Sequence, residues 1–141
     1  MADAVEITIS SHPRWLRLIR QVVLEFAQQA GFDRADSQDI TLAVGEAAGN
    51  VIKHSYKGRT DRTFSVACSV AEGGLEVEIR DQGEPFEPAD HTPRPPDELR
   101  AGGRGLYLMR AIMDRVEYDH LNGANIIRMR KSHKAAACEP G

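Results

Sequence analysis

The sequence predicts an α+β fold, a two-layer α/β sandwich in which helices cover one face of a mixed, mostly antiparallel sheet. Three observations point there. Five short stretches read as strands and three longer ones repeat apolar residues at helical spacing. Their order is βααββ, a loop, then αββ, which lacks the strict alternation of a parallel doubly wound sheet. Glu72-Gly73-Gly74 separates two strand-like runs by the length of a tight turn, which favours a hairpin.

Val5-Glu-Ile-Thr-Ile9 alternates apolar and polar residues and reads as the opening strand. Ser10 or Ser11 can cap the next helix, with Pro13 tolerated in its first turn. Trp15, Leu18, Ile19, Val22, Val23 and Phe26 give that helix one apolar stripe, and Gly31 ends it. A second helix is expected from Asp36 or Ser37 to about Ser55, with Ile40, Val44, Ala47 and Val51 on its core face. Thr63 to Ala71 and Leu75 to Asp81 read as strands. Residues 84–103 hold five prolines and no periodic apolar pattern, so a long functional loop is expected. A third helix is expected from Gly105 to about Asp114. Strands near Val116 to His120 and Ala124 to Arg130 flank the turn Leu121-Asn-Gly123.

With 141 residues, the chain reads as one domain able to bury roughly two-thirds of its unfolded surface. A net charge of −3 gives no electrostatic footprint for direct nucleic-acid binding. No apolar run approaches the ~20 residues that span a bilayer, and the N-terminus has no secretory pattern. The two cysteines, Cys68 and Cys138, make no disulfide framework, so a cytoplasmic protein is expected.

Three segments carry the chemistry. Glu46, Asn50 and His54 lie four residues apart on the second helix and share a face. Magnesium prefers oxygen ligands and takes few protein groups, which suits the amide oxygen of Asn50. Glu46, one turn away, is placed to accept a proton from an attacking hydroxyl. A solvated polar stripe is the competing reading for Glu46, and a helix-end cap or buried contact for His54. The small residues Ala43, Gly45, Ala47, Ala48 and Gly49 leave room for something to approach this helix. Asp81, at a strand end, can accept a hydrogen bond from an amino group such as that of adenine. Gly83 then lets the base come near the backbone. A plain Asp-x-Gly turn is the competing reading. Gly102-Gly103-Arg104-Gly105-Leu106 precedes the third helix, where free N–H groups and Arg104 can meet phosphate. A flexible glycine linker is the alternative there. The segment is neither a P-loop nor a dinucleotide fingerprint.

Taken in order, these segments resemble the GHKL ATPase superfamily. Glu46 to Asn50 is similar to its N box, Asp81-x-Gly83 to its G1 box and Gly103-Arg-Gly105 to its G2 box. Longer strings resemble the RsbW-like anti-sigma-factor serine/threonine kinases. These are Glu46-Ala-x-x-Asn-x-x-x-His54-x-Tyr56, Asp81-x-Gly-x-x-Phe86 and Gly103-Arg-Gly-Leu-x-Leu-Met-Arg-x-x-Met-Asp114. The resemblance implies the Bergerat fold, with an ATP-binding kinase domain over residues 1–131 and an ATP lid over about 84–103; the last residues, 132–141, read as a disordered tail. It implies ATP and Mg2+ as cofactors. Glu46 and Arg104 would be catalytic, with Asn50 the metal ligand. Asn50, His54, Asp81, Gly83, Phe86, Gly102, Gly103, Arg104, Gly105 and Leu106 would line the nucleotide site. The implied partners are a sigma factor and a STAS-domain antagonist whose serine is phosphorylated, and the implied assembly is a homodimer. A nucleotide-gated regulator without kinase activity and a detached histidine-kinase-type catalytic domain are the alternatives. With no histidine-bearing helix before the motifs and no transducer segment after them, neither a complete sensor kinase nor a gyrase- or chaperone-type machine is expected.

Overall fold

A computed structural model describes residues 3–85 and 104–133, and of Arg104 only the backbone. Strand β1 (Ala4–Ser10) leads through a short 3-10 turn into helix α1 (Leu16–Gln29) and helix α2 (Arg34–Asn50). Strands β2 (Thr63–Ala71) and β3 (Gly74–Asp81) follow, then helix α3 (Arg104–Ile112) and strands β4 (Arg115–Leu121) and β5 (Ala124–Ser132). The sheet order is β1-β2-β3-β5-β4. Every described neighbouring pair is antiparallel, so the expected mixed sheet is here wholly antiparallel.

Alternation along the strands sets the inner face. Phe64, Val66 and Cys68 of β2, Leu75, Val77 and Ile79 of β3, and Ile127 and Met129 of β5 join one core with the helices. The opposite face carries Glu78, Arg80, Arg128 and Asp119, linked as exposed or half-exposed ion pairs. Such pairs each add little stability in water. The β4–β5 turn places Asn122 and Gly123 at φ 53° and 79°, the pair of left-handed residues that a two-residue hairpin requires.

Several local expectations are corrected. Neither Ser10 nor Ser11 caps the first helix. His12 does so for the 3-10 turn Pro13–Trp15, accepting from Arg14 N–H at 3.1 Å. Ser11 instead is fully buried and ties in the loop before β2, donating to the Arg59 carbonyl and accepting from Arg62 N–H. The stripe of α1 divides. Ile19 and Val23 are buried, whereas Trp15 and Leu18 are about 40% exposed (39% and 42%). Helix α2 starts earlier than expected because Asp33 caps it, accepting from Asp36 N–H at 2.8 Å.

The expected tail begins too early at its first residues. Strand β5 runs through Ser132, and His133 stacks on Phe32 with ring centroids 4.1 Å apart. Lys131 Nζ donates to the Ile112 carbonyl and so caps the C-terminus of α3. Residues 134–141 of the expected tail, and the expected lid from 86 to 103, lie outside the described residues.

Helix α2 is central. It packs on α1 and α3 and reaches β3. Ala43, Ala47 and Ala48 are buried core residues, which explains the run of small side chains by close packing. Gly45 touches the methylenes of Arg20, and only Gly49 of these five faces open space.

Candidate functional site

The end of α2 builds the middle of the site. After Asn50 the chain does not continue as an α-helix to Ser55, as the sequence suggested. Residues Val51–Ser55 form a π-helical turn closed by Tyr56 N–H donating to the Val51 carbonyl at 2.9 Å. Such wide turns occur often at functional sites. His54 sits half-buried in this turn.

Glu46 and Asn50 are half-buried, one turn apart, and face the start of α3. A Cβ at Gly105 would lie 2.8 Å from Glu46 Oε1 and 3.6 Å from Asn50 Nδ2. The backbone of α3 therefore reaches both side chains only because residue 105 is glycine. At this helix start the first N–H groups lack intrahelical partners and the helix dipole favours an anion. The Leu106 side chain goes into the core at 1% exposure, so what this residue offers a ligand is its backbone N–H. Phe86, Gly102 and Gly103 lie outside the described residues, as does the Arg104 side chain.

On the other side of Glu46 a groove of about 370 Å3 opens between α1 and α2. Leu16 and Leu42 give it apolar walls, and Arg20 and Lys53 line it beside Glu46 and Asn50.

Asp81 lies further along α2, at the π-helical turn. It ends β3 and is 3% exposed. Its Oδ1 accepts from Gly83 N–H at 2.8 Å and from Asn125 Nδ2 at 2.9 Å. Burial pushes the Asp81 carboxyl above its ordinary range. The bonds from Asn125 and Gly83, then the nearby Ser55 hydroxyl and His120, pull it back only in part. The Ser55 hydroxyl acts on the carboxylate from close by but makes no hydrogen bond of good geometry. Gly83 presses on Ser55: an added Cβ would overlap the Ser55 carbonyl oxygen, which accepts from Glu84 N–H at 2.8 Å.

Three supporting residues had no role assigned from the sequence. Asn125 Nδ2 also donates to the Glu84 carbonyl at 2.9 Å and approaches the Gly83 carbonyl at 3.3 Å. Its Oδ1 pairs with His120 Nδ1 at 2.9 Å. Tyr56 donates to the Thr63 carbonyl at 2.6 Å and accepts from Gln82 N–H at 2.9 Å, so it pins the start of β2 and the end of β3 together. Ser55 packs against the backbone at Gly83. Tyr56 stood in the quoted motif, but Asn125 had no local signal because only the β3–β5 register brings it to Asp81.

The residues fit a nucleotide. A glycine backbone stands against Glu46 and Asn50, and a buried carboxylate with a close glycine stands against Ser55, in the turn that follows the same helix. Among the described residues no cluster of three or more His, Cys, Asp or Glu could hold a metal by itself. No described helix is long and apolar enough to cross a membrane.

Residues 9–131 match the histidine kinase-like ATPase domain family. The chain is 33% identical to the serine-protein kinase RsbW of Bacillus velezensis, over 88% of this chain and 82% of that protein. It is 32% identical to RsbW of Bacillus subtilis, over 89% and 83%. RsbW of Listeria monocytogenes is 29% identical over 90% and 86%. Among solved structures, the RsbU and RsbW domains of a Mycobacterium tuberculosis protein superpose with a TM-score of 0.68 at 20% identity, covering 92% of this chain and 32% of that one. A blue-light activated histidine kinase domain from Erythrobacter litoralis superposes at 0.56, at 17% identity, covering 90% and 63%. These two show the shared α+β fold. The full-length similarity to the kinases goes further: this chain belongs to the histidine kinase-like ATPases and, within them, to the RsbW serine-protein kinases.

Proposed function

We propose that this kinase uses Mg-ATP to phosphorylate a serine of a STAS-fold antagonist and, in its other bound state, holds a sigma factor, so that it regulates transcription by exchanging partners. The observation that carries the reading is the contact of Gly105 with Glu46 and Asn50, which sets a phosphate-type helix start against a carboxylate and an amide. In this reading Asp81 accepts from the adenine amino group and Gly83 keeps the backbone clear of the base. The N–H groups of Gly105 and Leu106 take phosphate oxygens, joined by Gly102, Gly103 and the Arg104 guanidinium. Phe86 and His54 flank the nucleotide. Magnesium, bound by the Asn50 amide oxygen and phosphate oxygens, would neutralise charge on the transferred group.

Glu46 takes the proton of the substrate serine as its Oγ bonds to the terminal phosphorus. The bond from that phosphorus to the bridging oxygen breaks, and ADP leaves. The groove beside Arg20 and Leu42 is the open approach to Glu46 and suits a protein segment. The chain works in the cytoplasm as a homodimer. An apolar groove of about 350 Å3 between Val5 of edge strand β1 and Val22 and Phe26 of α1 supports that assembly.

The test is transfer of labelled terminal phosphate from ATP to proteins of the source cell, with wild type and Glu46→Ala. Acid-stable label on one small protein, lost in the variant while ATP binding persists, is expected. Acid-labile label would point to a histidine acceptor. No label despite ATP binding would leave a nucleotide-gated binding regulator.

A further inference from the structure

Ser55 closes the π-helical turn and is 2% exposed. Among the described residues its Oγ is the one buried side-chain polar atom with no hydrogen-bond partner. A buried hydroxyl left unpaired costs stability, and native folds pair nearly all such groups. Its position explains the exception. Ser55 lies against the Asp81–Gly83 turn, with its Cβ 2.9 Å from where a Gly83 Cβ would be. The Asp81 carboxylate is close enough to feel the hydroxyl. Asp81 Oδ1 is already filled by Asn125 and Gly83. Both Ser55 and Asp81 are shut from solvent in the nucleotide-free fold. The hydroxyl is thus a donor held beside the Asp81 carboxylate in a dry site, without a hydrogen bond of good geometry to any described protein group.

We propose that Ser55 is a specificity-determining residue whose hydroxyl donates to the ring nitrogen next to the amino group of adenine. This rests on the reading that Asp81 receives that amino group. Adenine presents a donor amino group beside an acceptor ring nitrogen on one edge. A carboxylate paired with a hydroxyl donor matches that order. Guanine presents the reverse, a carbonyl oxygen beside a ring N–H, and would set its oxygen against the Asp81 carboxylate. A site built to hydrogen-bond a group discriminates strongly against an analogue lacking it, because its buried polar atoms are then left unpaired. Ser55 therefore weakens the empty fold and strengthens the nucleotide-bound one.

Wild type, Ser55→Ala and Asp81→Asn are titrated with ATP and with 1-deaza-ATP, in which that ring nitrogen is a C–H. Wild type is expected to prefer ATP by about tenfold, and Ser55→Ala to lose most of this preference through weaker ATP binding alone. Ser55→Ala should also raise the melting temperature of the nucleotide-free protein, since it removes an unpaired group. Ser55→Gly, which removes the same hydroxyl, should give the same ratio of affinities. Equal weakening of both nucleotides by Ser55→Ala, or unchanged ATP binding, overturns the proposal while Asp81→Asn still binds ATP poorly. If Asp81→Asn binds ATP like wild type, or wild type binds neither nucleotide, the site reading itself fails and the proposal with it.

Discussion

Asn125 and Asp81 stand directly opposite each other in the β3–β5 pair, and Asn125 Nδ2 donates to Asp81 Oδ1 at 2.9 Å. One amide thereby fixes the carboxylate and the carbonyls of the turn that follows it. Asn125→Leu leaves the Gly83 and Glu84 carbonyls without this donor. A loss of about 1–3 kcal/mol in unfolding free energy is expected, with ATP affinity reduced as the turn loosens. Urea unfolding and nucleotide titration check both, and wild-type values in either would remove Asn125 from this role.

The raised carboxyl of Asp81 makes stability depend on pH. Burial favours its protonated form, so the folded state holds that proton to higher pH than the unfolded chain. This contribution to stability is fully present below the unfolded carboxylate range, near pH ~3.9, and is lost as pH rises through the higher folded value. Asp81→Asn lacks the effect and keeps an oxygen for Asn125 and Gly83. At pH 7 the nucleotide-free variant should be more stable than wild type, and the gap should close as pH falls towards 4. Denaturant unfolding across that range is the measurement. A gap that widens on acidification would reverse the assignment.

Two glycines should respond differently to alanine. At Gly83 the new methyl meets Ser55 backbone, which cannot swing aside, so about 1–3 kcal/mol of stability should be lost together with ATP binding. At Gly105 it meets the tip of Glu46, a flexible side chain. Gly105→Ala should keep the fold, or stabilise it by up to about 1 kcal/mol through helix propensity, yet reduce phosphate transfer at least tenfold by displacing Glu46. Comparing unfolding and transfer for the two variants separates these cases.

Tyr56→Phe removes a donor to Thr63 and an acceptor for Gln82 N–H. About 1–3 kcal/mol should be lost. Burial, opposed in part by the bond from Gln82 and reinforced by Asp81, raises the Tyr56 hydroxyl above its usual range. The wild-type advantage is therefore present below about pH 10 and should fade as pH rises past it. Unfolding at pH 8 and pH 11 tests the sign.

Local pattern made much of this legible. Ile40, Val44, Ala47 and Val51 repeat on a helical face and are all buried. The alternation through Leu75, Val77 and Ile79 placed Asp81 at a strand end. Contacts between distant segments were not legible. Asn125 is 44 residues from Asp81 and reads as an ordinary strand residue until β5 pairs with β3. Ser10 or Ser11 is expected to cap the helix that follows, but the Ser11 hydroxyl is used by a loop 48 residues away. The tail is expected from Ser132 onward, but Ser132 pairs with Gly74 as part of β5, a contact that no local pattern signals.

The widened turn at Val51–Ser55 has a further consequence. It accommodates more residues per turn than the α-helix before it. A wide turn absorbs one extra residue with little change in the direction in which the chain leaves it, so removing one amino acid there can restore regular winding and leave the Asp81 side facing as before. Within α2 itself the same deletion would turn everything beyond it by about 100° relative to Glu46. The chain length between Asn50 and Tyr56 is therefore less strictly fixed than the length of the helix before it.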